Sequence, residues 1–183
     1  MGTRHLIMGE LEDYLTGQIL PDTHDERIIQ KISRFLIETK GYSKNEVLTR
    51  KKISLKIGDK TGAITVHFII QTNKISFAVI MYGPGSIVTR QRPTIAAARL
   101  IEDYMIPFSM ITNGEEAILM DTMSGKVIGK ELDSMPAQKQ ALTLLKDIHL
   151  ETLTDTRREK EQRILYAMDI LTEQECRDFT CRI

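Results

Sequence analysis

Hydrophobic and polar residues change their spacing several times along the chain, and each spacing indicates a different kind of element. Near the N-terminus, Leu11, Tyr14 and Leu15 recur at helical intervals. This spacing predicts a short helix over residues 6–16, which Gly17 ends because glycine favours the backbone conformation found after a helix.

A longer helix is predicted from residue 24, where apolar residues recur every three or four positions. It begins at a capping box, in which Thr23 is the N-cap and Glu26 is three residues further on. It ends at Lys40-Gly41. A second capping box, Ser43 to Glu46, predicts one further helical turn.

The spacing then changes to two, which is typical of β-strands. Strands are predicted over residues 53–57, 63–70, 75–82, 108–112, 117–121 and 126–128. The third of these is apolar almost throughout, as expected of a central strand that is covered on both faces. Between the third and fourth strands, Pro93 and a run of alanines predict a helix that reaches about Met105.

Two C-terminal helices complete the pattern. One is predicted over residues 136–148 with Ser134 as its cap, and the other begins near residue 156. The last helix is expected to bury four apolar residues: Ile164, Leu165, Met168 and Leu171. The order of elements predicts an α+β fold with a mixed central sheet and helices on both faces. We expect a core domain over residues 1–133 and a helical extension over residues 134–183, packed on the core.

Composition narrows the class of protein further. The chain has 183 residues, and its 25 lysines and arginines balance its 25 aspartates and glutamates, so any basic surface has to be local. No apolar run approaches the length of a membrane span, and no signal peptide is evident. Cys176 and Cys181 are the only cysteines, a usage that fits a reducing cytoplasm.

Three segments together resemble the N-terminal domain of type I restriction enzyme R subunits, a family of PD-(D/E)XK nucleases. Residues 26–42 are similar to its first helix, Ile80-Met81-Tyr82-Gly83-Pro84 to its Glu-x-Lys strand motif, and residues 107–114 to its next strand and hairpin. The resemblance covers about residues 20–130 and implies an αβββαβ core of the restriction-endonuclease type.

The same resemblance implies where a Mg²⁺ site would lie, and most of that site is replaced here. Aligned on the motifs, the metal-binding aspartate falls at Ile64, the glutamate at Ile80 and the lysine at Tyr82. Isoleucine offers no ligand to a hard cation, and a phenol does not replace an ammonium group. Only Glu26, which matches an acidic residue of the family's first helix, is kept. We therefore expect no metal, no cofactor and a catalytically degenerate domain.

Two basic segments are the candidates for binding an anion. Arg90 and Arg92 precede a predicted helix, whose free amides favour negative charge. Arg50, Lys51 and Lys52 form the second segment. If both lie on one face, they could contact a phosphate backbone. The alternative is that these are ordinary solvated charges.

These observations leave three functions open. The first is a nucleic-acid-binding or restriction-associated module, with DNA or a restriction-type helicase as its partner. The second is a divergent Mg²⁺-dependent nuclease that uses Glu26 with relocated carboxylates such as Asp59. The third is a scaffold or dimerisation protein, which would form a homodimer through its C-terminal helices.

Overall fold

A computed structural model describes residues 8–170. It begins with a hairpin of two strands, β1 (Glu10–Glu12) and β2 (Ile19–Pro21). The helix predicted over residues 6–16 is therefore wrong. Asp13 accounts for the difference, because one of its carboxylate oxygens accepts the backbone N–H groups of Leu15 (3.0 Å) and Thr16 (2.8 Å). Such a local side-chain turn competes with helix formation.

The first helix, α1 (His24–Arg34), continues as one turn of π-helix (Phe35–Thr39). Thr23 caps α1 by accepting the Glu26 N–H at 3.1 Å, as predicted. The Glu26 side chain accepts hydrogen bonds from Gln30 and Arg50. The second capping box is also confirmed, because the backbone N–H and hydroxyl of Ser43 both donate to Glu46.

Six strands form the central sheet in chain order: β3 (Val47–Ile57), β4 (Lys60–Thr72), β5 (Ile75–Tyr82), β6 (Phe108–Thr112), β7 (Ala117–Asp121) and β8 (Val127–Gly129). All neighbouring pairs are antiparallel except β5 and β6. Helix α2 (Gln91–Leu100) makes the crossover between these two parallel strands. The predicted α+β fold with a mixed central sheet is confirmed, including the αβββαβ order.

Two further helices follow, α3 (Gln138–Asp147) and α4 (Asp155–Leu165), and α4 continues as a π-helical turn (Tyr166–Ile170). Several predicted details are wrong. Helix α2 ends at Leu100 rather than near Met105, and Ala137, not Ser134, occupies the N-cap position of α3. Met168 is exposed. Leu171, Cys176 and Cys181 lie outside the described residues.

Each face of the sheet is covered by helices and has its own core. One cluster joins α1 and α3 to the sheet through residues such as Ile32, Ala141 and Ile80. The other joins α2 and α4 through residues such as Ala97 and Leu165. Residues 134–170 therefore contribute to both cores; the division at residue 133 stays a prediction. No helix within residues 8–170 is long and apolar enough to cross a membrane.

Strands β3 and β4 reverse their side-chain alternation at one shared position. Val66 and Phe68 are two residues apart, so a regular strand would place both on one face, yet they pack in different cores. Arg50 lies opposite His67 in the register, between the pairs Thr49–Phe68 and Lys51–Val66, and has a left-handed backbone (φ +54°). The reversal turns both Arg50 and His67 toward α1.

Candidate functional site

Tyr82 is at the centre of a polar cluster where β5 ends beside α1. Its hydroxyl donates a 2.8 Å hydrogen bond to Asp25 Oδ1 in the first turn of the helix. Its backbone N–H donates to His67 Nδ1 at 3.1 Å, and the two rings meet edge to face at 5.9 Å. Burial and the neighbouring Asp25 carboxylate both raise the pKa of Tyr82, so the phenol stays protonated. Tyr82 is thus a hydrogen-bond donor fixed in place.

His67 is held neutral and in one tautomer. Because Nδ1 accepts the Tyr82 N–H, the proton of the neutral ring is on Nε2. Burial lowers the pKa of His67 to about 4, and the positive charges of Arg50 and Arg90 add to this effect, whereas Asp25 opposes it. One arginine from each basic segment thus acts electrostatically on the same imidazole. His67 consequently presents an N–H donor in a positive local field.

Arg50 connects the N-terminal hairpin to α1. Its guanidinium group donates to Asp13 Oδ2 at 2.7 Å and to Glu26 Oε1 at 2.5 Å. Gln30 bridges the same two carboxylates, at 3.1 Å and 2.8 Å. Burial alone would raise the pKa of Asp13, but its hydrogen bonds to Thr16, Gln30 and Arg50 hold it below its usual value. Glu26, the acidic residue that the resemblance retains, is thus already paired with a cation.

The positions aligned with a nuclease site do not form a metal site. Ile80 is fully buried in the core beneath α1 and α3. Ile64 packs in the other core, against the opposite face of the sheet, so the fold does not bring it together with Ile80 and Tyr82. Within residues 8–170, no group of three or more His, Cys, Asp or Glu side chains is placed to hold a metal ion. The arrangement does not fit Mg²⁺.

Arg90 lies directly against the end of β5. A Cβ atom added to Gly83 would be 2.6 Å from Arg90 Cδ and 3.1 Å from the guanidinium carbon, so only glycine leaves room for this side chain. The Gly83 N–H donates to Thr112 O at 3.0 Å, which fixes the turn. Arg90 is therefore placed over the backbone next to Tyr82.

The other predicted basic residues point elsewhere. Arg92 is inside the first turn of α2 rather than before it, and its Nη2 lies 2.6 Å from Glu161 Oε2 of α4. Lys51 and Lys52 are exposed on β3, an edge strand of the sheet. Of the predicted basic residues, Arg50 and Arg90 both act electrostatically on His67.

A cleft of about 350 Å³ opens beside Tyr82. The start of α1, the Pro84-Gly85 turn and the β6–β7 hairpin line it, and Asn113 Nδ2 donates to Gly85 O at 3.0 Å to hold the turn. Its charged side chains include both Lys31 and Glu115. The cleft has no field of a single sign and does not by itself select an anion.

Sequence patterns missed three members of the site. Asp13 lies within the helix predicted over residues 6–16, Asp25 lies between Thr23 and Glu26 of the first capping box, and His67 lies within the strand predicted over residues 63–70. His67 lies 15 residues from its partner Tyr82, and Asp25 lies 57 residues from it. One available signal was His67 itself, a polar residue within the apolar run of β4.

The fold and the site define an α+β domain whose central strand ends in a tyrosine–aspartate–histidine cluster. A family model described as "Type I restriction enzyme R protein N terminus" matches residues 24–136, which is more than half of the chain. The chain belongs to this family, as its sequence motifs predicted. No curated protein and no solved structure matches it.

Proposed function

We propose that this chain is a catalytically degenerate member of its family that binds nucleic acid as part of a restriction-associated assembly. The observation that carries the loss of catalysis is the state of the retained acid. Glu26 is paired with Arg50. The strand position that the family motif gives to a glutamate holds the buried Ile80. A hydrolytic site of this kind needs carboxylates that are free to take a hard cation.

The binding part of the proposal rests on Arg90 and His67. Arg90 is held over Gly83, and His67 presents its Nε2–H in the field of Arg90 and Arg50. Guanidinium groups and neutral N–H donors both bind phosphate oxygens. Lys51 and Lys52 extend the positive charge along the exposed edge of the sheet. Phosphate contacts of this type provide affinity without base specificity.

Fluorescence anisotropy with labelled duplex DNA at low salt tests the binding. We expect Arg90→Ala to weaken binding about fivefold to tenfold and to reduce the salt slope by about one. Arg92→Ala is expected to have a smaller effect because Arg92 is already paired with Glu161. Arg163→Ala is the matched control, since this exposed arginine of α4 lies outside the site. Equal effects of Arg90→Ala and Arg163→Ala, or no binding of duplex or single-stranded DNA, would reject the proposal.

A second variant moves Arg90 without removing its charge. In Gly83→Ala the new methyl group would collide with the Arg90 side chain, which is flexible and able to swing away. We expect weaker DNA binding, by a factor approaching that of Arg90→Ala, with little change in the free energy of unfolding. Unchanged binding by Gly83→Ala would show that the placement of Arg90 over the strand end is irrelevant.

The divergent-nuclease alternative is tested by incubation with plasmid DNA and Mg²⁺ or Mn²⁺. Asp59, one of the proposed relocated carboxylates, lies in the β3–β4 turn. Seven strand residues separate this turn from Arg50, the partner of Glu26, which corresponds to roughly 20 Å at strand spacing. We expect no cleavage. Cleavage that is lost in Glu26→Ala would establish the alternative.

The scaffold alternative has one observation in its favour. Leu144 of α3 and Met168 of the π-helical turn after α4 are exposed apolar residues of the C-terminal helices. Analytical ultracentrifugation of the full chain decides it: a dimer that Leu144→Lys converts to a monomer would support a scaffold, whereas a monomeric native protein would count against self-association.

A further inference from the structure

The hairpin of β3 and β4 extends beyond the end of the neighbouring strand β5. Strand β4 pairs with β5 from Phe68 to Thr72, whereas it pairs with β3 as far as its own first residue, Lys60. Residues 51–66 therefore form a two-stranded ribbon, which we call the β3–β4 arm. The seven residues that β3 contributes to the arm span roughly 20 Å at strand spacing.

One face of the arm is packed against the C-terminal helix. The core that α2 and α4 complete includes four apolar residues of the arm: Ile53, Leu55, Ile64 and Val66. A Cβ atom added to Gly62 would be 2.6 Å from Ile170 Cδ1, so the π-helical turn after α4 lies directly against the arm near its tip. The arm is thus supported along this face and presents its other face to the surroundings.

The other face of the arm is exposed and consists of basic and small side chains. It is formed by three cross-strand pairs, all of whose members are exposed: Lys52–Thr65, Ser54–Ala63 and Lys56–Thr61. This is the side of the sheet on which Arg50 donates to Glu26 of α1. The exposed face therefore continues outward from the candidate site.

The charge of the arm favours a polyanion. Residues 50–69 contain five lysines and arginines, and Asp59 in the turn is their one acidic residue, although the whole chain has a net charge of zero. Lys52 and Lys56 are four residues apart on the same face, so their Cα atoms are about 13 Å apart. Their ammonium groups are therefore placed to neutralise two separate phosphates.

The shape of the exposed face also matches one form of nucleic acid. The major groove of B-form DNA is about 12 Å wide and admits a two-stranded β-ribbon. Ser54, Ala63 and Thr65 are small, so the ribbon backbone is able to approach base edges closely. Serine and threonine hydroxyl groups hydrogen-bond to base edges, and alanine contacts the thymine methyl group. The face thus combines groups for phosphates with groups for bases.

We propose that the β3–β4 arm enters the major groove of duplex DNA, where Lys52 and Lys56 contact phosphates and the small residues between them face the base edges. This inference rests on the proposed function, because it names the form of nucleic acid and the groove that the domain binds. Duplex RNA does not fit this surface, since side chains cannot read the deep, narrow major groove of an A-form helix. The arm adds base contacts to the phosphate contact proposed for Arg90.

Anisotropy titrations of the full chain with labelled duplex DNA test the charged part of the surface. We expect Lys52→Ala and Lys56→Ala each to weaken binding about threefold to tenfold and to reduce the salt slope by about one. Lys126→Ala is the matched control, because Lys126 is exposed beside β8 at the opposite edge of the sheet, and its loss should change binding less than about twofold. Duplex RNA of the same sequence should bind about tenfold more weakly than DNA.

Dimethyl sulfate identifies the groove, because it methylates the guanine N7 atom that the major groove exposes. We expect the native chain to protect guanine N7 atoms within its bound site. Ala63→Glu places a negative charge at the centre of the exposed face and should abolish this protection. Ala63→Ser keeps the side chain small and should retain it. Ala63 is exposed, so neither substitution disturbs the core.

The outcomes separate the inference from the function it rests on. Weaker binding by Lys52→Ala and Lys56→Ala than by Lys126→Ala, together with protection of guanine N7, supports the inference. Equal affinities of the three variants overturn it, as does DNA binding without N7 protection or equal binding of duplex DNA and duplex RNA. If binding in those cases still depends on Arg90, the proposed function stands. Absence of binding to duplex and single-stranded DNA overturns both.

Discussion

Tyr82 donates its hydroxyl hydrogen to Asp25 at 2.8 Å, across 57 residues of sequence, where β5 meets the first turn of α1. This contact links the position that the family motif gives to a lysine with the helix that carries its acidic residue. The tyrosine therefore has a structural role of its own. Several measurable consequences depend on this cluster and on its neighbours.

Replacing Tyr82 by phenylalanine removes only the hydroxyl group and leaves the Asp25 carboxylate without that donor. We expect the free energy of unfolding to fall by about 1.5–3 kcal/mol, the usual contribution of a hydrogen bond to a charged group. Urea denaturation measures the change. Tyr14→Phe is the matched control, because Tyr14 bonds Glu38 at the surface and should cost less than about 0.5 kcal/mol. Equal losses in both variants would contradict the assigned role of Tyr82.

The low pKa of His67 makes stability depend on pH in a defined window. The pKa is about 4 in the folded state and 6.5 in the unfolded chain, so the unfolded state binds more protons as pH falls below 6.5. This contribution to stability is complete above pH 6.5 and is lost progressively toward pH 4. It amounts to roughly 3 kcal/mol in total.

The measurement is the urea midpoint at pH 7 and at pH 5, a range above the ordinary titration of carboxylates. We expect His67→Asn to lose most of the difference between the two, because asparagine offers an acceptor to the Tyr82 N–H but does not titrate. His24→Asn is the control, since His24 is largely exposed. A native protein as stable at pH 5 as at pH 7 would show that His67 is not held neutral.

Restoring a glutamate at the motif position should destabilise the fold rather than rebuild a site. Ile80 is fully buried among apolar side chains, and an ionised carboxylate there lacks partners. We expect Ile80→Glu to cost about 3 kcal/mol or more at pH 7. Ile75→Glu at the exposed start of the same strand is the control, with an expected cost below about 1 kcal/mol. Thermal unfolding with and without Mg²⁺ measures both. Stabilisation of Ile80→Glu by Mg²⁺ would contradict this prediction.

Loss of Arg50 leaves two carboxylates without their shared cation. Asp13 has only 1% of its surface exposed, so its charge depends on the remaining donors. We expect Arg50→Met to reduce the free energy of unfolding by roughly 3 kcal/mol at neutral pH, as for other broken buried ion pairs. Lys52→Met on the same strand is the control, because Lys52 is exposed.

The pH dependence of Arg50→Met provides an independent check. The depressed pKa of Asp13 stabilises the native protein above about pH 4, and this stabilisation is lost as pH falls through the folded pKa. Without Arg50 the pKa of Asp13 should rise, so the variant should become relatively more stable on mild acidification. A cost that is independent of pH would mean that the loss comes from packing alone.

Local sequence signals predicted the parts of the fold that they govern directly. The bounds of β5, β6 and β7 follow from apolar runs between turn residues, and Thr23 caps α1 as its capping box indicates. The first hairpin was mistaken for a helix because its three apolar residues happen to have helical spacing. The contacts that override that spacing, from Asp13 to Arg50 and Gln30, span 37 and 17 residues.

The site was harder to predict for the same physical reason. Arg50 adopts a left-handed backbone conformation that is unusual for a residue with a side chain. No pattern of hydrophobic and polar residues predicts this conformation. That distortion decides which face Arg50 and His67 occupy. A motif alignment treats each strand as regular, so it grouped Ile64 with Ile80 although the two lie in separate cores. A sequence indicates where a residue lies along a strand, but the face that the residue occupies also depends on irregular positions elsewhere in the strand.

The reversal at Arg50 and His67 also limits how β3 and β4 can mispair. In a uniformly alternating hairpin, a slip of one residue moves every apolar side chain to the wrong face, but a slip of two residues restores the pattern. Here a slip of two residues would no longer place the irregular position of β3, Arg50, opposite that of β4, His67. Apolar side chains of the two strands would then face different cores. The irregular position therefore specifies the register of β3 and β4, because only one pairing of these long strands aligns it in both.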